Sequence, residues 1–393
     1  MATDTTDLGV ALDIDGRLTE VERTVDVLLN VSPVNAAEAW TDFERSDFAV
    51  APTLRLRPLE FDPDLVRRDL FDLRVEDVED PALHTLLRAK RDELARIVTA
   101  LEDRDTSRFV YGSLQLYGGV SEALSASAEH LLRTIPHQAP STESVTAGAF
   151  AEAARAEFER YRENHPDFPV AYEVRADVAE LMVSFGRLLI PEAAAIRADR
   201  VDPLLHHEVG THVVTYQNGA RQPLRLLTIG LPGYDETQEG LAVLAEYLTG
   251  GLDPRRLRVL AARVVAIERL LDGAGFLDIF EGLRADHSIP ARTAWSIAIR
   301  AVVGGGSVKD AIYLRGIVRL LDALAEGLDL EVLLVGKLSL DHVPLVQDLL
   351  DRGVLHPPWI RPRWLDVPGA QERLERLRSG LAVTDLYEGE TTA

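Results

Sequence analysis

The chain is 393 residues long, 46% apolar, free of cysteine, and carries a formal charge of −22. That length admits one large or two ordinary domains. No apolar run approaches the roughly 18 residues needed to span a membrane, and the missing cysteines exclude disulfides and thiolate metal ligands. The acidic balance argues against nucleic acid and anionic membrane as partners. The acidic N-terminus, MATDTTDLGVALDIDG, lacks the basic and apolar regions of a secretory signal, so a cytoplasmic location is expected.

In chain order, residues 1–15 read as a mobile terminus, and 16–44 read as helix broken near Ser32-Pro33. Asp80-Pro81 opens an amphipathic helix with Leu83, Leu86, Leu87, Leu94, Ile97, Val98 and Leu101 on one face. A further helix follows Gly119. Residues 135–146 (IPHQAPSTESVT) form the best linker, with His137 solvated in it, and helix resumes from Ala147. This divides the chain into an N-terminal helical region (1–140), a catalytic region (141–366) and a C-terminal tail (367–393). Segments 170–174 and 181–190 are the convincing strands, with Gly186 at a bulge or hairpin turn. Residues 184–187 are either a peptide-binding sheet edge or an ordinary hairpin over the core. After Gly251 the chain is helical again: a helix capped by Asp253-Pro254 with Val264, Ile267, Leu270 and Leu271 buried, then 276–283, 291–303, a helix after Gly304-Gly305-Gly306, 330–337 and 345–350. The proline-rich 356–365 (HPPWIRPRWL) is expected to wrap the surface, and 384–393 to be disordered. The fold class is α+β, mostly helical.

The chemistry concentrates between Asp202 and Gly251. Asp202-Pro203 and Asn218-Gly219 bracket one helix of roughly 15 residues, carrying His207, Glu208 and His212. Asp235 and Gln238 resemble a capping box, and Gly250-Gly251 closes a second helix carrying Glu239. Two imidazoles and a carboxylate are a zinc ligand set, and a glutamate beside the first histidine is the usual general base. The spacing is H-E-x-x-x-H. Five residues of regular helix turn about 500°, leaving the rings about 140° apart. Both reach one metal if the helix widens, so a π-type distortion is predicted around 209–211, where Gly210 weakens the regular helix. The competing reading is a pair of structural histidines. His206 is assigned to packing, and Glu246, seven residues after Glu239 on the same face, to holding a ligand from behind.

HEVGTH, NGARQPL and TQEGLA together resemble the microtubule-associated tyrosine carboxypeptidase family, whose bacterial relatives are labelled by the QEGLA motif or as modulators of flavohaemoglobin expression. The resemblance runs from about Val170 to Leu365, and more weakly over the N-terminal helices. It implies a zincin-like metallopeptidase core with a small sheet and an HExxxH active-site helix. It also implies one zinc ion held by His207, His212 and Glu239, with Glu208 as acid/base. The K-D-x-x-Y-L pattern at 309–314 fits the family too. Relatives carry an arginine where this chain has Val303, and Arg300 is the nearest substitute.

The expected reaction is zinc-dependent hydrolysis of a peptide or amide bond. Glu208 takes and returns the proton. Tyr313 is the oxyanion donor, and Arg300 or Lys309 holds a substrate carboxylate. By analogy with the family, the substrate is a peptide or protein C-terminus. The alternative is a non-catalytic regulator or adaptor on the same scaffold.

Overall fold

The computed structural model describes residues 5–137, 143–178 and 180–387. Helices dominate: α1 (Thr5–Val25), α2 (Pro81–Asp103), α3 (Ala147–Arg162), α4 (201–219), α5 (Tyr234–Leu248), α6 (Pro254–Leu271), α7 (Ala291–Val302), α8 (Ile312–Ala325) and α9 (Ala370–Arg378), with shorter helices between them. Among the described residues, no helix is long and apolar enough to cross a membrane.

Local chemistry accounts for most of these starts. Asp80 accepts from the N–H groups of Ala82 and Leu83 at 3.0 and 3.1 Å, with Pro81 in the first turn of α2. All seven apolar residues expected on the inner face of α2 are buried. Thr146 caps α3, and Asp253 caps α6. Leu271 at the end of α6 is exposed rather than buried, because the helix closes there.

Five short strands make two sheets. β1 (Ser144–Thr146) pairs antiparallel with β5 (Ala195–Arg197). β2 (Tyr172–Arg175), β4 (Arg187–Pro191) and β3 (Met182–Ser184) form a sheet in the order β2-β4-β3. The β2–β4 pair is parallel and β3–β4 antiparallel, with Ser184 opposite Arg187. Phe185 and Gly186, both at positive φ, complete the tight turn that right-twisted strands favour. Among the described residues β3 is an edge strand, and it packs against the widened turn of α4. A Cβ on Gly186 would lie 2.3 Å from the Tyr216 ring, so glycine lets the hairpin tip close on α4.

Two apolar clusters form the interior. One joins residues of α1 and α2 to residues of α5, α6 and α8. The other packs α3, β4 and the buried side of α4 together with Ile360.

Several expectations change. The chain is helical from Thr5, with Ala11, Ile14 and Asp15 buried, because α1 docks on 224–231; residues 1–4 lie outside the described residues. The linker 135–146 ends in β1, its residues 138–142 lie outside the described residues, and His137 is exposed. Segment 330–337 is helical only over Leu330–Leu333. Segment 356–365 lies only partly at the surface: His356, Pro357 and Arg361 are exposed, but Ile360 and Trp364 are 1% and 0% exposed. Its backbone is gripped by two side chains, Asn218 of α4 on Ile360 and Gln222 of the following turn on His356. Val383–Leu386 form a 3-10 turn with Val383 and Leu386 buried, and 388–393 lie outside the described residues.

Candidate metal centre

The α4 rod is α-helical over Val201–His207, π-helical over Glu208–Val213 and α-helical again over Val214–Gly219. It starts one residue before Asp202, which lies inside the first turn and is not its cap. The widened turn falls where the five-residue spacing demands it. A π turn hydrogen-bonds i to i+5, so residues five apart stack as residues four apart do in an α-helix. His207 and His212 therefore share a face, their ring centroids 5.1 Å apart.

Tertiary contacts support the irregular turn. Gly210 lies inside it, and its carbonyl accepts the Trp364 indole N–H at 3.1 Å. A Cβ on Gly210 would come within 2.9 Å of that indole. Thr211 Oγ1 donates to the His206 carbonyl, and Thr215 Oγ1 to the Thr211 carbonyl.

α5 brings the carboxylates. It begins at Tyr234 after a left-handed Gly233; Asp235 lies in its first turn, and the expected Asp235 cap is not formed. Glu239 Oε2 stands 3.6 Å from His207 Nε2 and 3.8 Å from His212 Nε2. That oxygen is buried with no hydrogen-bond partner among the described residues. Glu246, two turns on, is 0% exposed and holds His207 Nδ1 at 2.8 Å. It is itself held by Arg200 at 2.6 Å and Arg256 at 3.2 Å. A histidine so gripped through one ring nitrogen presents the other to a ligand, the usual arrangement behind a metal-binding histidine.

Glu208 is also close: one of its oxygens and one nitrogen from each histidine lie within 4.8 Å of one another. Two carboxylates thus compete for one ligand place, and their environments separate them. Burial pushes the Glu208 carboxyl up to about 7. Burial would also raise Glu239, but the His207 and His212 imidazoles outweigh it and hold Glu239 down at about 2. Glu239 is thus the permanent anion and Glu208 the group poised to exchange a proton. Burial lowers His212 to about 4, which keeps its imidazole neutral. For His207 burial acts downward too, but Glu239 and Glu246 prevail and raise it to about 9. The residues fit a divalent metal: two imidazole nitrogens face a buried anionic oxygen that no other described residue satisfies.

The other expected residues separate. Tyr313, at the start of α8, lies within electrostatic reach of Glu239, with the Arg263 guanidinium 4.5 Å from its ring. It comes that near because α5 and α8 cross at glycines: a Cβ on Gly240 would lie 2.5 Å from the Gly316 backbone. Arg300 is taken up by Glu180 and Asp310, and Lys309 by Asp235. Glu236 is held by Arg315 and Arg319, and His206 faces Asp202 at 3.6 Å, away from the centre.

A cleft of about 390 Å³ lies near the centre, whose His207, Glu208, His212 and Glu239 are not among its lining residues. Asp235 and Glu236, one turn before Glu239, Tyr216, one turn after His212, and Ser184 of β3 all line it. Sequence reasoning missed Lys337 in this wall, Trp364 beneath the π turn and the Gly240–Gly316 crossing. A glycine inside an amphipathic helix was the available signal for Gly316. Nothing local distinguished Trp364 or Lys337.

A family model described as microtubule-associated tyrosine carboxypeptidase matches residues 41–382, most of the chain. No curated protein matches it.

Proposed function

Because the chain belongs to the microtubule-associated tyrosine carboxypeptidase family, we propose that it is a zinc-dependent carboxypeptidase that removes the C-terminal residue of a peptide or protein. The observation that carries this reading is the buried, unpartnered Glu239 oxygen facing both imidazoles across the π turn. His207, His212 and Glu239 would hold one zinc ion. Zinc, when bound, supplies Lewis acidity and lowers the pKa of water toward neutrality.

The chain's own groups do the rest. Glu208, raised by burial to about 7, is matched to taking a proton near neutral pH and returning it to the leaving amine. Glu246 fixes the His207 tautomer by accepting from Nδ1–H. Tyr313 keeps its hydroxyl proton because burial lifts it above the usual phenol range, so it remains a donor for the developing oxyanion. The outer edge of β3, unpaired among the described residues, is suited to receive an extended peptide.

The test is zinc content and turnover together. Protein reconstituted with zinc should hold about one ion per chain and lose it in His212→Ala. Glu208→Gln should keep the ion while losing C-terminal trimming of a peptide library by 100-fold or more. Trimming that survives Glu208→Gln would remove Glu208 from the mechanism. A wild-type protein that binds zinc but trims nothing would return the chain to the adaptor reading.

A further inference from the structure

The cleft contains a cation that forms no direct ion pair among the described residues. Lys309, Arg315 and Arg319, which line the cleft, are each tied to a carboxylate, and Arg96 is exposed at its rim. Lys337 also lines it, is 8% exposed, and has no ion-pair partner among the described residues. Its ammonium stands 5.8 Å from the centre of the Tyr216 ring and 5.4 Å from that of Tyr234. Resting on the carboxypeptidase reading above, we propose that Lys337 anchors the free C-terminal carboxylate of the substrate.

Three features favour this use. First, a buried ammonium with no direct ion pair is costly, and the aromatic faces and the more distant Asp235, Glu22 and Glu239 carboxylates offset that cost only in part. Burial holds Lys337 below the usual lysine range, so an incoming carboxylate would restore what the fold withholds. Second, the position is rigid. The Lys337 N–H donates to the Leu227 carbonyl at 2.8 Å, and its carbonyl accepts from the Leu231 N–H at 2.9 Å. A Cβ on the preceding Gly336 would lie 2.6 Å from the Leu227 carbonyl, so glycine permits this close approach. Third, the location suits an exopeptidase. Lys337 is near enough to His212 and Glu239 to act on both electrostatically, and Tyr216 follows His212 by one helical turn. A carboxylate held there would bring the end of the substrate toward the ligand set.

The test uses zinc-reconstituted Glu208→Gln protein. It is titrated with two equimolar libraries of N-acetyl tripeptides randomised at the last position, one ending in a free carboxylate and the other in a carboxamide. Mass spectrometry reads the bound peptides. A charge-assisted hydrogen bond predicts roughly 10- to 100-fold tighter binding of the acids. Lys337→Met should bring the ratio near one, and Lys337→Arg should retain part of it. The chain has three lysines, Lys90, Lys309 and Lys337, so lysine-labelled NMR of the unsubstituted protein gives a second readout even if a variant misfolds. The acid library should shift the Lys337 side-chain signal and the amide library should not. A wild-type ratio near one, or a ratio unchanged in Lys337→Met, overturns the proposal. A Lys337-dependent ratio without turnover in the Glu208 protein would support the carboxylate subsite while sinking the peptidase reading. Turnover with a Lys337-independent ratio would sink the subsite alone.

Discussion

Replacing Glu246 with glutamine tests how the centre is held. The carboxylate is fully buried and meets His207 Nδ1 at 2.8 Å, Arg200 at 2.6 Å and Arg256 at 3.2 Å. Glutamine keeps the shape but leaves two guanidinium groups without their anion. Breaking a buried charge pair costs about 3–5 kcal/mol. The lower end applies here, because Arg200 keeps the Gly251 carbonyl at 2.8 Å and both arginine side chains retain some exposure, 11% and 15%. Urea melts of metal-free protein should therefore show a loss of ~3 kcal/mol. Separately, a neutral amide steers His207 less firmly than the carboxylate, and loss of such a partner weakens metal binding by about 10- to 100-fold, or about 1.4 to 2.8 kcal/mol. Competition with a chromophoric chelator measures this second quantity. A variant destabilised as expected but binding zinc within twofold of wild type would show that Glu246 serves the fold and not the ligand, refuting the reasoning.

Gly240→Ala should drive α5 and α8 apart, since the added methyl would lie 2.5 Å from the Gly316 backbone. A loss of about 1–3 kcal/mol in denaturant melts is expected, with weaker zinc binding as Glu239 moves. Trp364→Phe preserves most of the packing but leaves the buried Gly210 carbonyl without the indole donor. Melts should show about 1–3 kcal/mol lost, and a change near zero would mean that the π turn needs no such support. Asp15, inside α1, accepts the Arg225 and Leu226 N–H groups, yet burial dominates and raises its carboxyl from 3.8 to about 6. The folded protein then holds a proton that the unfolded chain releases, so stability should fall as pH rises from about 4 to 6, by up to ~3 kcal/mol. Comparing the pH slopes of wild type and Asp15→Asn isolates this term, and a difference of opposite sign would refute the assignment.

Much of the fold was readable in the sequence where the signal is local. The α2 face, the caps at Asp80 and Asp253, and the hairpin at Gly186 all follow from neighbours within a few residues. The boundaries that failed were decided at a distance. The first helix reaches back to Thr5 because its apolar face and Asp15 meet 224–231, more than 200 residues away. Segment 356–365 looked like surface because proline-rich stretches usually are, but Asn218 of α4 and Gln222 just after it satisfy its backbone.

The centre divides along the same line. Sequence alone determined that a regular helix could not serve His207 and His212, because five residues at 100° each leave the rings on different faces. It therefore called for the widened turn that α4 contains. Only tertiary structure decided which charges remain free. Arg300 and Lys309 carry the same chemistry in the sequence as Lys337 does, but Glu180, Asp310 and Asp235 occupy the first two and nothing described occupies the third. Periodicity and spacing report what one helix presents, whereas neutralisation depends on which side chain the fold brings opposite, and that partner stands up to 120 residues away.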